Sequence, residues 1–263
     1  MSETPAQRVS ETPAALPQTV DVLGHAVHPV DLEQASTWCL ETALGEGPPR
    51  LAVTLNPEIV VRARRDAALR AALTRADLTV ADGVGVVWAA RRAGRPLPGR
   101  VPGVELTFAL LQRGGPRLRV ALVGGRPGVA ASAAAEAEHR WGVTVTSHHH
   151  GYFDRRRDTP QLAAAVAAGS PHLLLAGLGE GQEQLLDDHR QAWGATVLIG
   201  VGGSLDVLAG VARRTPAWTR RLGLEWAWRV GLDPARWHRL PRLATFAWLT
   251  LRQDRVTLRE GNR

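Results

Sequence analysis

The 263-residue sequence has a single cysteine, Cys39, and no lysine. A lone thiol excludes an internal disulfide framework and fits a reducing compartment, and no Cys/His spacing resembles a zinc site. There is no early apolar h-region and no run of 18 apolar residues, so the sequence predicts neither a signal peptide nor a membrane-spanning helix. No internal repeat is visible. Acidic residues are scarce only near the end: residues 213–263 hold 12 Arg and 4 Asp plus Glu, whereas residues 1–212 hold 20 Arg and 21 acids. The whole excess of +7 therefore lies in the tail. With 44% apolar residues the chain has ample material for one large core.

What is present reads as an α/β chain. Residues 1–18 are Ser, Thr, Pro, Glu and Gln with little hydrophobic pattern, and are expected to be disordered. Val20 to Leu23 and Ala26 to Val30 suggest a hairpin around Gly24, and Asp31 a cap for a helix to Leu44. Leu51 to Leu55 reads as a strand, and Asn56-Pro57-Glu58 as a helix start, with the helix running through the Arg62 to Arg70 region. Further strands are predicted at Leu78 to Val80, Arg119 to Val123, Val143 to Thr146, Leu173 to Leu175 and Thr196 to Ile199, alternating with helices. The expectation is a Rossmann-like, largely parallel sheet over residues 19–212 with a helical appendage over 213–263. In that appendage Trp218, Leu222, Trp226 and Val230 recur every four residues. Trp237, Leu240, Ala244, Trp248 and Leu251 recur at three or four, so each half presents an apolar face.

The centre of the pattern is Ala81-Asp82-Gly83-Val84-Gly85, a carboxylate between a strand end and a helix start. Open α/β sheets bind ligands at that edge. Gly83 and Gly85 keep side chains away from it and free the turn for positive φ. Read without context, Asp82 is an ordinary N-capping Asp with turn glycines, and the rest of the chain is what points to a site. Thr54 to Glu58, Arg100 to Leu106, Gly177 to Glu183 and Gly200 to Gly210 also lie where predicted strands end. Convergence of such segments on one edge makes a nucleotide or sugar site. Gly124 and Gly125 either admit a nucleotide to a helix N-terminus or simply form a βα turn. His148, His149 and His150 are adjacent and cannot all face one ion from a strand, so a surface turn is expected there.

In their order these segments resemble the WecG/TagA/CpsF family of bacterial glycosyltransferases over roughly residues 20–250. The resemblance is carried by Thr54-x-Asn56-x-Glu58, Asp82-Gly83-x-Gly85-Val86, Arg100-Val101-x-Gly103-x-Glu105-Leu106, Gly200-Val201-Gly202-Gly203-x-x-Asp206-x-Leu208-Ala209-Gly210, and Arg214-Thr215-Pro216-x-Trp218 through Leu222-Gly223-Leu224-Glu225-Trp226. It implies transfer of a hexose-type sugar, typically N-acetylmannosamine or its uronate, from a UDP donor to a polyprenyl-diphosphate-linked amino sugar. It also implies self-association and a cytoplasmic enzyme lying peripherally on the inner face of the plasma membrane. By resemblance Asp82 is the general base and Arg100 acts near the diphosphate, although Arg100 also reads as one more solvated Arg. Thr54 and Asn56 match residues lining the pocket, Gln182 and Asp206 match nucleotide contacts, and Gly124 and Gly203 belong to glycine turns that admit substrate. Glu180-Gly181-Gln182-Glu183 departs from the family's Gly-x-Pro-x-Gln-Glu, lacking the proline and one residue. Glu105 replaces the commoner Asp, and Leu205 the commoner Phe.

No Asp-x-Asp occurs, so no metal or other cofactor is expected, the UDP-sugar being a substrate. Leaving-group charge then falls to arginines and helix N-termini, with Arg213, Arg214, Arg221 and Arg229 of the appendage as candidates to reach over the pocket. Nucleic-acid binding is disfavoured because the core is not basic and no recognition helix or stacking platform is visible. A plain oligomer interface explains the tail's tryptophans but not its arginines, whereas an anionic membrane surface explains both. Two other functions compete. An NAD-type oxidoreductase lacks, here, the third small residue of the dinucleotide fingerprint and its distal acid. A non-catalytic, nucleotide-sensing membrane scaffold would keep the same pocket.

Overall fold

A computed structural model describes residues 15–212, 237 and 240–260. A short antiparallel hairpin, β1 (Val20–Val22) with β2 (His25–Val27), precedes α1 (Leu32–Leu44). Asp31 caps α1 with a full capping box, its carboxylate accepting from the Gln34 amide while the Gln34 side chain returns to the Asp31 N–H. Then come β3 (Arg50–Leu55), α2 (Pro57–Ala63), α3 (Ala67–Thr74), β4 (Leu78–Ala81), α4 (Val84–Arg92) and α5 (Gly103–Gly114). The second half runs β5 (Arg119–Gly124), α6 (Val129–Trp141), β6 (Thr144–His149), α7 (Thr159–Ala168), β7 (Leu173–Gly177), α8 (Gln182–Asp188), β8 (Val197–Gly200) and α9 (Ser204–Leu208). A last helix, α10, spans Leu240–Glu260.

Six strands form one parallel sheet in the order β4-β3-β8-β7-β5-β6. Period-two alternation sends successive residues to opposite faces. Leu51, Val53 and Leu55 pack with α2, α3, α4, α7 and α8, while Ala52 and the intervening residues of neighbouring strands pack with α1, α5, α6 and α9. Both faces are covered, which is why the strands read as continuous apolar runs. Leu16, from the amino-terminal stretch, packs on the second of these faces.

Two local expectations are corrected. The helix after Asn56 is two helices, because the Asp66 carboxylate accepts from the Leu69 amide and starts α3 afresh. His148 and His149 finish the edge strand β6, paired to Leu122 and Val123, so the turn begins only at His150. In α10 the stripe Leu240, Ala244, Trp248 and Leu251 faces outward, while Phe246, Leu249 and Thr250 are buried. Pro241 falls in the first turn of α10, where its missing N–H is harmless. The rest of the basic tail, with Arg213, Arg214, Arg221 and Arg229, lies outside the described residues.

Candidate active site

The carboxyl ends of the adjacent strands β4, β3 and β8 bring Asp82, Thr54, Asn56 and the Gly200–Gly203 run to one edge. Asp82 follows β4 directly, its amide donating to the Leu55 carbonyl at 2.7 Å, and it is half-buried. The N-cap of α4 is Gly83, with φ +96°, and no side chain caps that helix. A Cβ on Gly83 would meet nothing within 4 Å, so there is open space beside Asp82. Gly85 behaves differently from expectation. A Cβ there would lie 2.7 Å from Pro57 Cγ and 3.4 Å from Phe246 Cε1, so helix packing, not an approaching substrate, requires this glycine.

Asn56 caps α2, its Oδ1 accepting from the Ile59 amide at 3.0 Å. Thr54 is buried and donates its hydroxyl to the Gly200 carbonyl at 3.0 Å, tying β3 to β8 beneath the edge. The Val101 amide donates to the Ala81 carbonyl at 2.7 Å, which holds the loop bearing Arg100 beside Asp82. The Arg100 guanidinium, 20% exposed, stands 4.0 Å from Glu105 in the first turn of α5. A pair of that length contributes little by itself.

Gly203 is the N-cap of α9, and Asp206 lies in the first turn of that helix, half-buried, 3.8 Å from the place a Gly203 Cβ would take. Gln182 is buried, with Oε1 accepting from the Leu178 amide and Nε2 donating to Glu183. A Cβ on Gly200 would lie 2.7 Å from that Nε2, so the Gln182 amide is wedged against the end of β8. One Nε2 hydrogen is engaged by Glu183, which leaves Gln182 a limited role toward a ligand. Gly124 is closely packed at the end of β5. A Cβ on it would lie 2.5 Å from the Gly177 carbonyl oxygen, and one on Gly177 would lie 2.6 Å from that of Gly202. The ends of β5, β7 and β8 are packed backbone against backbone, a need no single-residue signal in the sequence reveals.

Sequence reasoning missed Glu180, Arg62, Arg155 and Arg242. Glu180 sits between β7 and α8 and ion-pairs with Arg242 of α10, while Arg62 of α2 stands 3.9 Å from it. Arg155 donates to the Glu180 and Leu178 carbonyls. Missed too was Glu183, 3% exposed, whose pKa burial pushes up against the opposing pull of its bond from Gln182 and of Arg62 and Arg155. Its Oε2 finds no hydrogen-bond partner among the described residues. No three His, Cys, Asp or Glu side chains group as for a metal ion among the described residues, and no described helix is long and apolar enough to cross a membrane.

Comparison with known proteins gives a concordant picture. The profile of the glycosyl transferase WecG/TagA/CpsF family matches residues 20–260. An N-acetylglucosaminyldiphosphoundecaprenol N-acetyl-beta-D-mannosaminyltransferase of Bacillus spizizenii is 30% identical over 219 residues, covering 82% of this chain and 84% of that protein. A Staphylococcus aureus protein of the same name, from strain NCTC 8325, is 36% identical over 193 residues, covering 73% of this chain and 74% of its own length.

Proposed function

Because the chain belongs to the WecG/TagA/CpsF family of glycosyl transferases, we propose that it moves N-acetylmannosamine from a UDP donor to the N-acetylglucosamine of a polyprenyl-diphosphate-linked acceptor, with inversion. The observation that carries this reading is the position of Asp82, placed at the carboxyl edge of β4 beside the open space at Gly83. Asp82 takes the proton of the acceptor hydroxyl as that oxygen bonds to the anomeric carbon. The bond from that carbon to the UDP β-phosphate oxygen breaks, and the pair of electrons leaves with UDP. General-base assistance of this kind contributes about 10² to 10⁴ in rate. The β linkage in the relatives' names fits displacement of an α-linked nucleotide.

Arg100 is a described cation held on the loop beside Asp82, and we assign it to the departing diphosphate. Arg214, Arg221 and Arg229 join it in this reading on the strength of sequence alone. Asp206 accepts from ribose or uracil, with Gly203 leaving room above α9 and Asn56 lining the pocket. Thr54 and Gln182 contribute through the edge they hold, by the bonds to Gly200 and Leu178. Gly124 serves strand packing rather than substrate.

The outward residues Leu240, Trp248 and Leu251 of α10, and Trp237 before it in the chain, are between 41% and 58% exposed and support docking on an anionic membrane surface. Arg252 lies over the Trp248 ring at 4.8 Å, which keeps a cation beside the inserted ring. The enzyme then works peripherally on the cytoplasmic face, where its acceptor is anchored, in the synthesis of a cell-envelope polymer. Self-association is read from the family resemblance and is measured by light scattering.

The deciding experiment incubates the purified chain with UDP-N-acetylmannosamine and a short-chain polyprenyl-diphosphate N-acetylglucosamine, read by mass spectrometry. A disaccharide-lipid product with release of UDP is expected. Nucleotide binding without turnover over a panel of UDP-sugars would favour the non-catalytic scaffold instead.

A further inference from the structure

The loop that joins β7 to α8, Leu178 to Gly181, contains Gly179 and Gly181, with φ of +70° and +82°, and no proline. Glycine gives a backbone more conformations to lose than any other residue, so a loop of this composition needs ties to keep one shape. Both ends of it abut the turn that follows β8. A Cβ on Gly177 would lie 2.6 Å from the Gly202 carbonyl oxygen, and a Cβ on Gly200 would lie 2.7 Å from Gln182 Nε2. That turn leads through Gly203, the N-cap of α9, to Asp206. The shape of the loop and the shape of the turn are therefore set together.

Some ties are local: Gln182 Oε1 accepts from the Leu178 amide, and the Gln182 amide donates to the Gly179 carbonyl at 3.3 Å. The Arg242–Glu180 pair joins the loop to α10 through a side chain. Arg155, between β6 and α7, grips the loop backbone itself. Its Nη1 donates to the Glu180 carbonyl at 2.5 Å and its Nη2 to the Leu178 carbonyl at 2.6 Å, so one planar guanidinium spans the loop. A Cβ on Gly181 would lie 2.6 Å from that Nη1, so the glycine makes room for the guanidinium. Arg155 is seated in turn. Its carbonyl accepts from the buried Thr159 hydroxyl at 2.6 Å, and Asp154 Oδ1 accepts from the amides of Arg156 and Arg157 on either side of the same tight turn.

Building on the glycosyltransferase reading, we propose that Arg155 is a positioning residue for the donor nucleotide. By holding the Leu178 and Glu180 carbonyls it keeps the β7–α8 loop, and with it the Gly200–Gly203 turn, in the shape that receives the nucleotide, and it acts through the loop rather than on the substrate. A loop that is already ordered need not be ordered at binding, so the clamp strengthens donor affinity and leaves the bond-making step alone. Lysine at this position would keep the charge but lacks the fork that meets two carbonyls at once.

The test compares wild type with Arg155→Lys, Arg155→Met and Gly181→Ala, the last of which crowds Nη1 from the loop side. Three readouts are taken: hydrogen exchange over residues 178–182, calorimetric titration with UDP, and turnover over a range of UDP-N-acetylmannosamine concentrations. Each variant should exchange those amides about tenfold faster, bind UDP about tenfold more weakly and show a donor KM raised by the same factor, with kcat and acceptor KM within about twofold of wild type. Unchanged UDP affinity in the folded variants would overturn the proposal. So would faster exchange across the whole sheet, the mark of a general loss of stability, or a fall in kcat with donor KM unchanged, the mark of a group that meets the reacting atoms. Gly181→Ala still decides the matter if the Arg155 variants do not fold. Exchange and titration need no turnover, so wild-type turnover with unchanged UDP affinity in every variant removes the clamp alone, while absent turnover with the expected exchange and affinity order removes only the assigned reaction.

Discussion

At the scale of single residues, Asp82 and Glu183 are two carboxylates with opposite environments. Asp82 is half-buried at an open edge, so Asp82→Asn should lower turnover by about 10² or more while leaving the melting temperature and UDP affinity close to wild type. Wild-type turnover in that variant, under conditions where chemistry limits the rate, would remove the base assignment. Glu183 is a buried group whose folded pKa is raised by burial above the ordinary carboxylate value of 4.5. The folded state keeps a proton that the unfolded chain has released. The stability this contributes is full below 4.5 and is lost as pH rises through the raised value. Glu183→Gln, which cannot ionise, should therefore gain in melting temperature relative to wild type as pH rises from 4 toward 8, read by thermal melts across that range. A constant offset would mean that Arg62 and Arg155 hold Glu183 ionised throughout. Asp82 was legible because its neighbours in sequence announce a strand end and a turn. Glu183 was not, since nothing local distinguishes a buried glutamate at the start of α8 from a favourable first-turn acid.

At the scale of elements, the parts governed by near neighbours were readable in advance. Asp31 and Asn56 bond three residues ahead, and the strand runs declare their own burial. The break at Asp66 used that same chemistry, but its apolar surroundings also suit one continuous helix. The side of α10 that meets the core was illegible for a different reason. Two stripes on that helix are apolar, and Pro57 and Gly85, far away in sequence, decide which is covered. Phe246→Ala should thus cost on the order of 3 kcal/mol, the usual loss for a buried Phe, and that loss should fall on the docking of α10. Limited proteolysis is expected to cut the variant near residue 240 faster than wild type while the sheet melts at nearly the same temperature. Equal cleavage rates would show that other contacts hold α10. The strand-end glycines had a visible signal, the run of Gly codes at each turn, but one reason for them was invisible: Gly124 and Gly177 lie against the backbone of neighbouring strand ends.

At the scale of the whole molecule, a core of near-neutral charge carries a basic, tryptophan-rich tail, and the two are joined by Phe246 on Gly85 and Arg242 on Glu180. Vesicles with anionic lipid should bind the full chain more weakly as salt rises, with a residue of binding from Trp237 and Trp248 that salt does not remove. Residues 1–212 alone should remain folded, because the six strands and all the packed helices except α10 lie within them, yet lose transfer to a membrane-anchored acceptor. Equal vesicle binding with and without the tail would refute the membrane role. Activity should survive exhaustive chelation, since the reading places arginines at the diphosphate, and a divalent requirement restored by add-back would overturn it. The Phe246–Gly85 contact has a further consequence, in time. The residues it joins are roughly 160 positions apart in sequence, which at about 5 to 20 residues per second of synthesis separates them by roughly 8 to 30 s. A ribosome-bound chain has its six strands well before α10 is translated, so it holds a finished sheet whose reactive edge still lacks its covering helix. We expect sugar transfer to begin only after release, confining the chemistry to finished molecules, and a nascent chain stalled before Leu240 that already glycosylated its acceptor would contradict this.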